Sequence, residues 1–264
     1  MKKIALSVFI FTFLSVFCFG QSKVDSTFHE QKTSAFISVN AGVGIPTNNI
    51  YMENLAGGPG GGGYGTIGFN INLSGGIPIA QSHFGIIGLI SYNAEPFNIN
   101  QCFLDLCNKT NTNQLVSSSY SDFKEILLMP GIFFSIVGKP SIDFRLLAGE
   151  NFCTLAGYSL AGTSTQTYGV GNPGGGSGYT VTNTYDITAS LQSATSSAIA
   201  FDFGVDVRFI QGEHFFGVFS SDFMWSQAYI NTTYSESNIW SGNPEHFRVN
   251  YNLLSFTFGL GYKL

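Results

Sequence analysis

Charge is scarce in this sequence. Asp, Glu, Lys and Arg supply 10% of its 264 residues, far below what a dissolved domain places on its surface. Basic residues are scarcer still, 11 against 16 acidic, for a net charge of −5. That excludes a nucleic-acid partner. Long apolar runs are missing as well once the first twenty residues are passed. Ile126 to Val137 comes closest, but it contains Pro130 and Gly131, so no helix is expected to cross a membrane. The histidines, His29, His83, His214 and His246, are scattered, and none has an acid at useful spacing on its own element. No local motif for nucleophilic catalysis therefore exists, and the protein is expected not to be an enzyme. Gly57 to Gly63 has no Gly-Lys-Ser/Thr after it, which removes a phosphate loop. Gly171 to Gly178, with Pro173, reads as another surface loop. No cofactor and no metal are expected.

The first residues are easily placed. Lys2 and Lys3 precede an apolar run from Ile4 to Cys18, and Gly20-Gln21 marks the change to polar sequence. Residues 1–20 read as a signal peptide, 21–34 as a flexible periplasmic tail, and 35–264 as one domain. Phe17 stands before Cys18 where lipidation wants a small residue. Export implies an oxidising compartment. Cys102 and Cys107, in QCFLDLC, lack nearby ligand partners for a metal and are expected to form a disulfide, leaving Cys153 unpaired or competing.

Aromatics reach 15%, with 26 Phe, beside 32 Gly. This mixture falls into alternating runs. In the last ten residues Phe256, Phe258, Leu260, Tyr262 and Leu264 take one face of a strand, and Ser255, Thr257, Gly259, Gly261 and Lys263 the other. Ile37, Val39, Ala41, Val43 and Ile45 alternate with Ser38, Asn40, Gly42 and Gly44 until Pro46. Ile67, Phe69, Ile71 and Leu73 repeat the pattern. Phe84 to Tyr92 is apolar on both faces and resists phasing. Further runs cover Ile126 to Ile136, Ile142 to Gly149, Ile199 to Phe209, Phe215 to Trp225 and Val249 to Leu264.

The run at Ile199 is the cleanest. Ile199, Phe201, Phe203, Val205, Val207 and Phe209 face one way, while Asp202, Asp206 and Arg208 face the other. Ionised groups aimed at a soluble core would be costly, whereas a wet lumen accommodates them. Asp143, Arg145, Asp202, Asp206, Arg208 and Asp222 are therefore expected to fill a lumen as an ion-pair network, with Arg145 close to Asp206 and no open pore.

The connections between the eight runs alternate long and short: Thr47–Gly63 long, Ser74–Ser82 short, Ala94–Ser121 long, Gly138–Ser141 short, Gly157–Ser196 long, Gln211–His214 short, Ser226–His246 long. Outer-membrane barrels have that rhythm. The expectation is an all-β, eight-stranded, antiparallel up-and-down transmembrane β-barrel. Its long loops would be extracellular and both termini periplasmic.

On the opening strand with Gly42, Gly44 and Pro46, and the closing Gly259-Leu260-Gly261-Tyr262-Lys263-Leu264, the chain resembles small OmpA/OmpX-like outer-membrane barrels, and in particular those of the Bacteroidetes. The resemblance covers about Ala35 to Leu264. It implies residence in a Gram-negative outer membrane, contact with its lipid, and insertion by a BAM-type machine that reads Phe256, Phe258, Leu260, Tyr262 and Leu264. Many relatives end in Phe where this chain has Leu264. The role expected is a non-enzymatic structural or recognition one, exercised on an extracellular ligand or partner protein by four long loops. Tyr158, Tyr168, Tyr179, Tyr185, Tyr229, Tyr234 and Trp240 lie in those loops. The alternative is a narrow channel or part of a secretion or transport assembly.

Overall fold

The computed structural model describes residues 34–47, 64–80, 82–107, 112–170, 179–209, 212–236 and 244–264. The expected signal peptide, residues 1–20, and most of the expected tail, 21–34, lie outside this set, as does most of the first long connection.

Eleven strands and one helix make up the described chain. They are β1 (Phe36–Pro46), β2 (Gly68–Pro78), β3 (Phe84–Glu95), α1 (Ile99–Leu106), β4 (Thr112–Tyr120), β5 (Phe123–Ile136), β6 (Ser141–Leu155), β7 (Tyr158–Val170), β8 (Tyr179–Leu191), β9 (Ala194–Phe209), β10 (Phe215–Glu236) and β11 (Pro244–Lys263). Eight of the strands close a ring in the order β11-β1-β2-β3-β5-β6-β9-β10, with β10 paired back to β11. Every pairing is antiparallel. The seam joins the first strand to the last, from Phe36↔Lys263 to Pro46↔Leu253. Closure leaves the ring without an unpaired edge. This is an eight-stranded up-and-down β-barrel.

Side-chain alternation then sets two surfaces. Outward positions are apolar and exposed: Val39, Phe69, Ile86, Ile132, Leu146, Phe203, Phe258 and Leu260 are each at least 48% open. Inward positions are small or polar and buried, among them Ser38, Asn40, Asn70, Asn72, Ser91, Ser220, Ser255 and Thr257. β3, unphased in sequence, turns Phe84, Ile86, Ile90 and Tyr92 outward and Ile87, Leu89 and Ser91 inward. From Phe84 to Tyr92 the strand runs about 26 Å at ~3.3 Å per residue. At a tilt near 40° that is about 20 Å of axial height, of the order of the apolar band of a membrane barrel.

Two expectations are corrected here, that the long connections are loops and that Cys102 is bonded to Cys107. Three of the four long connections are not loops. Ala94–Ser121 contains α1 and β4. Gly157–Ser196 contains the hairpin β7–β8. Ser226–His246 is largely the continuation of β10 to Glu236 and of β11 from Pro244. β4, β7 and β8 form a second sheet, ordered β4-β7-β8 and joined to the far end of β10 through Tyr234↔Leu191. The fourth, Thr47–Gly63, falls mostly outside the described residues.

Cys102 and Cys107 are not bonded to each other, and both thiols are free and buried, as is that of Cys153. The reason is α1. Asn98 caps it by accepting from the Gln101 amide at 3.1 Å. Cys102 points with Phe103 into the core, while Cys107 follows the helix in extended backbone.

Candidate functional site

The interior is filled in layers. At the short-turn end, Phe36, Phe133 and Phe216 meet edge to face, with centroids 5.7 Å and 6.3 Å from Phe36. The Arg208 guanidinium lies 3.8 Å over the Phe36 ring. Glycine opposite makes room for these rings: a Cβ on Gly261 would overlap Phe216.

Above this plug sits the charge network. All six residues expected in the lumen are there and buried. Arg145 reaches Asp206 at 3.2 Å and also pairs with Asp222, while Arg208 pairs with Asp143. Ser255 donates to Asp222 at 3.3 Å, and Ser135 donates to Asp143. Gly204 opens the space for the Arg145 fork, whose Nη2 would lie 2.8 Å from a Cβ there. Asp202 lines a cavity of about 20 Å³ with Asn70, Asn72 and Ser91. That volume has room for about one water molecule, not for a passage.

Next comes an apolar layer of Leu89, Leu127, Met129, Leu147, Met224 and Leu253, all buried. Over it lie two inward carboxyls that sequence reading passed over, Glu95 and Glu125, both buried. Asn151 donates to Glu125 at 3.2 Å.

The long-connection end is closed by aromatics. Phe97 is central: Tyr158 stacks on it at 5.4 Å, Phe123 lies at 5.8 Å, Tyr64 at 5.6 Å and Tyr120 at 6.1 Å. Phe103 and Cys102 of α1, Ile187 of β8 and Ile230 of β10 complete this cap. Burial pushes the Cys102 thiol up to about 12, and raises Cys107 and the Tyr158 and Tyr64 hydroxyls as well. Burial thus disfavours the thiolate form at Cys102 and Cys107.

Two of the loop aromatics expected at a recognition surface, Tyr158 and Tyr234, are instead part of this packing; Tyr234 is buried and donates to Glu236 at 2.6 Å. Tyr168 and Tyr185 are exposed on the second sheet, bridged by the Asn183 amide at 3.3 Å to each hydroxyl. Tyr229 is exposed on β10. The side chain of Tyr179 and all of Trp240 lie outside the described residues. On the opposite face of the same hairpin, Thr165 meets Thr184 at 3.1 Å and Thr167 meets Thr182 at 3.2 Å. A polar, regular, solvent-facing sheet therefore stands beyond the barrel mouth.

Among the histidines, His83 contacts the Ser135 carbonyl at 2.9 Å, and His214 stacks on Tyr262. His29 and the His246 side chain are outside the described set. Among the described residues no group of His, Cys, Asp and Glu is placed to hold a metal ion. The closing-strand residues Phe258, Leu260, Tyr262 and Leu264 all face outward and exposed, and Phe256 is half-buried on the same face.

No protein-family model and no curated protein matches the chain. Among solved structures it is similar to the attachment invasion locus protein Ail of Yersinia pestis. That match has 12% identity and a TM-score of 0.40, covering 88% of this chain and 100% of that one. It is also similar to a major outer membrane protein of Thermus thermophilus, at 11%, 0.41, 88% and 100%, and to the outer membrane protein OprG of Pseudomonas aeruginosa, at 12%, 0.39, 88% and 97%. Likeness at this level carries no argument about what the chain does. The barrel itself stands on its own strand pairing.

Proposed function

We propose that this is an integral β-barrel of a Gram-negative outer membrane, acting without catalysis as a recognition protein through the second sheet beyond its mouth. The short turns and both chain termini would then face the periplasm. The observation that carries this reading is the sealed lumen: an aromatic plug at one end, paired charges in the middle and an aromatic cap at the other. A filled interior argues against a channel and leaves the solvent-facing sheet, with Tyr168, Asn183 and Tyr185, as the surface open to a partner. The outward Ile, Leu and Phe side chains support a membrane setting, since a contiguous exposed apolar surface of this extent has no place in water.

Two measurements test the proposal. Planar bilayers holding the protein should carry no sustained current, and a stable single-channel conductance would overturn the sealed-lumen reading. Vesicles displaying the protein should be retained by at least one member of an immobilised panel of cell-surface glycans and proteins. The Tyr168→Ala/Tyr185→Ala double variant should lose that retention. If it is retained undiminished, the recognition surface lies elsewhere.

A further inference from the structure

We propose that the centre of the lumen is a calcium site, built between the walls of β2 and β9. It goes beyond the recognition role of the second sheet and concerns the interior alone. The small cavity of about 20 Å³ beside the charge network is its place. Asn70 and Asn72 of β2 line that cavity, and so does Asp202 of β9. In the closed ring β3, β5 and β6 stand between β2 and β9 on one side, and β1, β11 and β10 on the other. The asparagines and the aspartate therefore come from opposite walls.

Three oxygens in this lining are buried acceptors without a donor: Asn70 Oδ1, Asn72 Oδ1 and Asp202 Oδ1. Their residues are at most 4% exposed. The Asn70 amide nitrogen is already committed, donating to Ser91 at 3.3 Å and to Asn93, so its oxygen is the atom left over. Each acceptor buried unpaired is costly. One water fits the volume, but it brings two hydrogens to three acceptors and carries no charge. Charge points to a cation as well. In the network four carboxylates, Asp143, Asp202, Asp206 and Asp222, face two guanidiniums, Arg145 and Arg208. Asp202 is the carboxylate that neither arginine pairs with among the described residues. Glu95 and Glu125 lie across the apolar layer and add no positive charge. A divalent ion offsets the two negative charges left over, whereas a monovalent one leaves half of that deficit in place.

The donor set selects the ion. Asp202, both asparagine amides, Ser91 Oγ and Asp222 Oδ2 all border the cavity. Asp222 Oδ2 accepts from Ser255 at 3.3 Å and keeps a further lone pair. With both Asp202 oxygens this makes about six hard oxygen donors, the number calcium takes in a flexible shell. Magnesium holds on to several waters, for which a cavity of this size has no room. Zinc wants imidazole or thiolate, and the lining has neither. The Met129 and Met224 thioethers on the apolar side are soft donors that a hard ion passes over. His, Cys, Asp and Glu alone form no metal group among the described residues; here asparagine amides complete the set. The aromatic plug and cap enclose the site, so the ion enters as the barrel closes and is then held.

The test is metal retention after refolding. The full-length protein is refolded into phosphatidylcholine vesicles in a buffer of equal calcium and magnesium, and a brief chelator wash strips ions from its surface. Elemental mass spectrometry then counts the metal. The wild type should keep about one calcium per chain, in excess over magnesium. Asp202→Asn should lower retention about tenfold or more, because it removes the unpaired ligand charge. Asp186→Asn on the second sheet should leave it unchanged. Wild type refolded with calcium should also unfold at higher urea than wild type refolded in chelator, a difference that Asp202→Asn abolishes. The wild-type arms decide by themselves if Asp202→Asn fails to refold. A wild type without retained calcium, an unfolding midpoint indifferent to calcium, or an Asp202→Asn variant that keeps the ion overturns the site.

Discussion

The barrel and the sheet beyond it obey the same two-residue period in opposite senses. In the ring, exposed positions are Ile, Leu and Phe, and buried ones include Asn, Ser, Asp and Arg. In β8, Thr180, Thr182, Thr184, Asp186 and Thr188 are exposed on one face, Tyr185 is exposed on the other, and Ile187, Ala189 and Leu191 are buried. One chain has thus been patterned for two solvents. The change happens inside single strands. Along β10 the outward side passes from Phe215, Phe223 and Trp225 to Gln227, Tyr229 and Asn231, while the inward side passes from Ser220 and Asp222 to Met224, Ala228 and Ile230, with Ser226 and Thr232 as buried polar members. β11 inverts at the same level, from inward Thr257 and Ser255 to inward Leu253, Tyr251 and Val249. Strand geometry is continuous across the boundary, so the inversion reports the surroundings and not the backbone.

The comparison can be broken most severely from inside. Replacing Arg145 by Met strands Asp206 and Asp222 in the lumen, and unfolding in vesicles by urea should show a loss of about 3–5 kcal/mol. Next is the outer face. Phe203→Arg puts a charge against hydrocarbon and should cost about 2–4 kcal/mol in the same assay. The short-turn plug comes third. Gly76→Val drives a side chain into the Phe36 ring and should cost about 1–3 kcal/mol. The cap offers a chemical readout. Folded protein should resist alkylation of Cys102 and Cys107 at mildly alkaline pH, and unfolding without reductant should release both thiols. A missing pair of thiols would restore the disulfide. Smallest is Thr182→Arg on the second sheet, expected within about 0.5 kcal/mol of the parent. Equal losses for Phe203→Arg and Thr182→Arg would erase the distinction between the two surfaces.

The barrel was legible because its outward face alternates so strongly with its lumen face. Residues such as Phe201–Asp202–Phe203 phase a strand without help. The network was legible for the same reason, and the pairing of Arg145 with Asp206 follows from β6 lying next to β9. What lay beyond the belt was not legible, because the apolar-outward rule was applied where it had already reversed. The sequence run of β10 ends at Trp225, where its outward face turns polar, and that of β11 begins at Val249, inside the inverted stretch and short of the observed start at Pro244. Glu125 lies just before the apolar alternation that begins at Ile126, so no pattern in the sequence places it on β5. α1 did carry a signal: Ile99, Cys102, Phe103 and Leu106 fall at helical spacing after Asn98, but the two cysteines drew a disulfide reading instead. β4, β7 and β8, rich in Ser, Thr, Asn and Gly, look like loop by composition. Only their mutual pairing, from Thr112↔Thr165 to Val170↔Tyr179, makes them a sheet.

The most direct test of the inverted surface is a probe scan along β10. Single cysteines, in a background with the native ones replaced, would carry a fluorophore at each position from Phe215 to Glu236, and brominated acyl chains in the bilayer would quench it. Quenching should alternate with a period of two, strong at outward sites up to Trp225, and vanish from Gln227 onward. Quenching that is uniform, or that falls on the Ser220 and Asp222 side, would contradict the account.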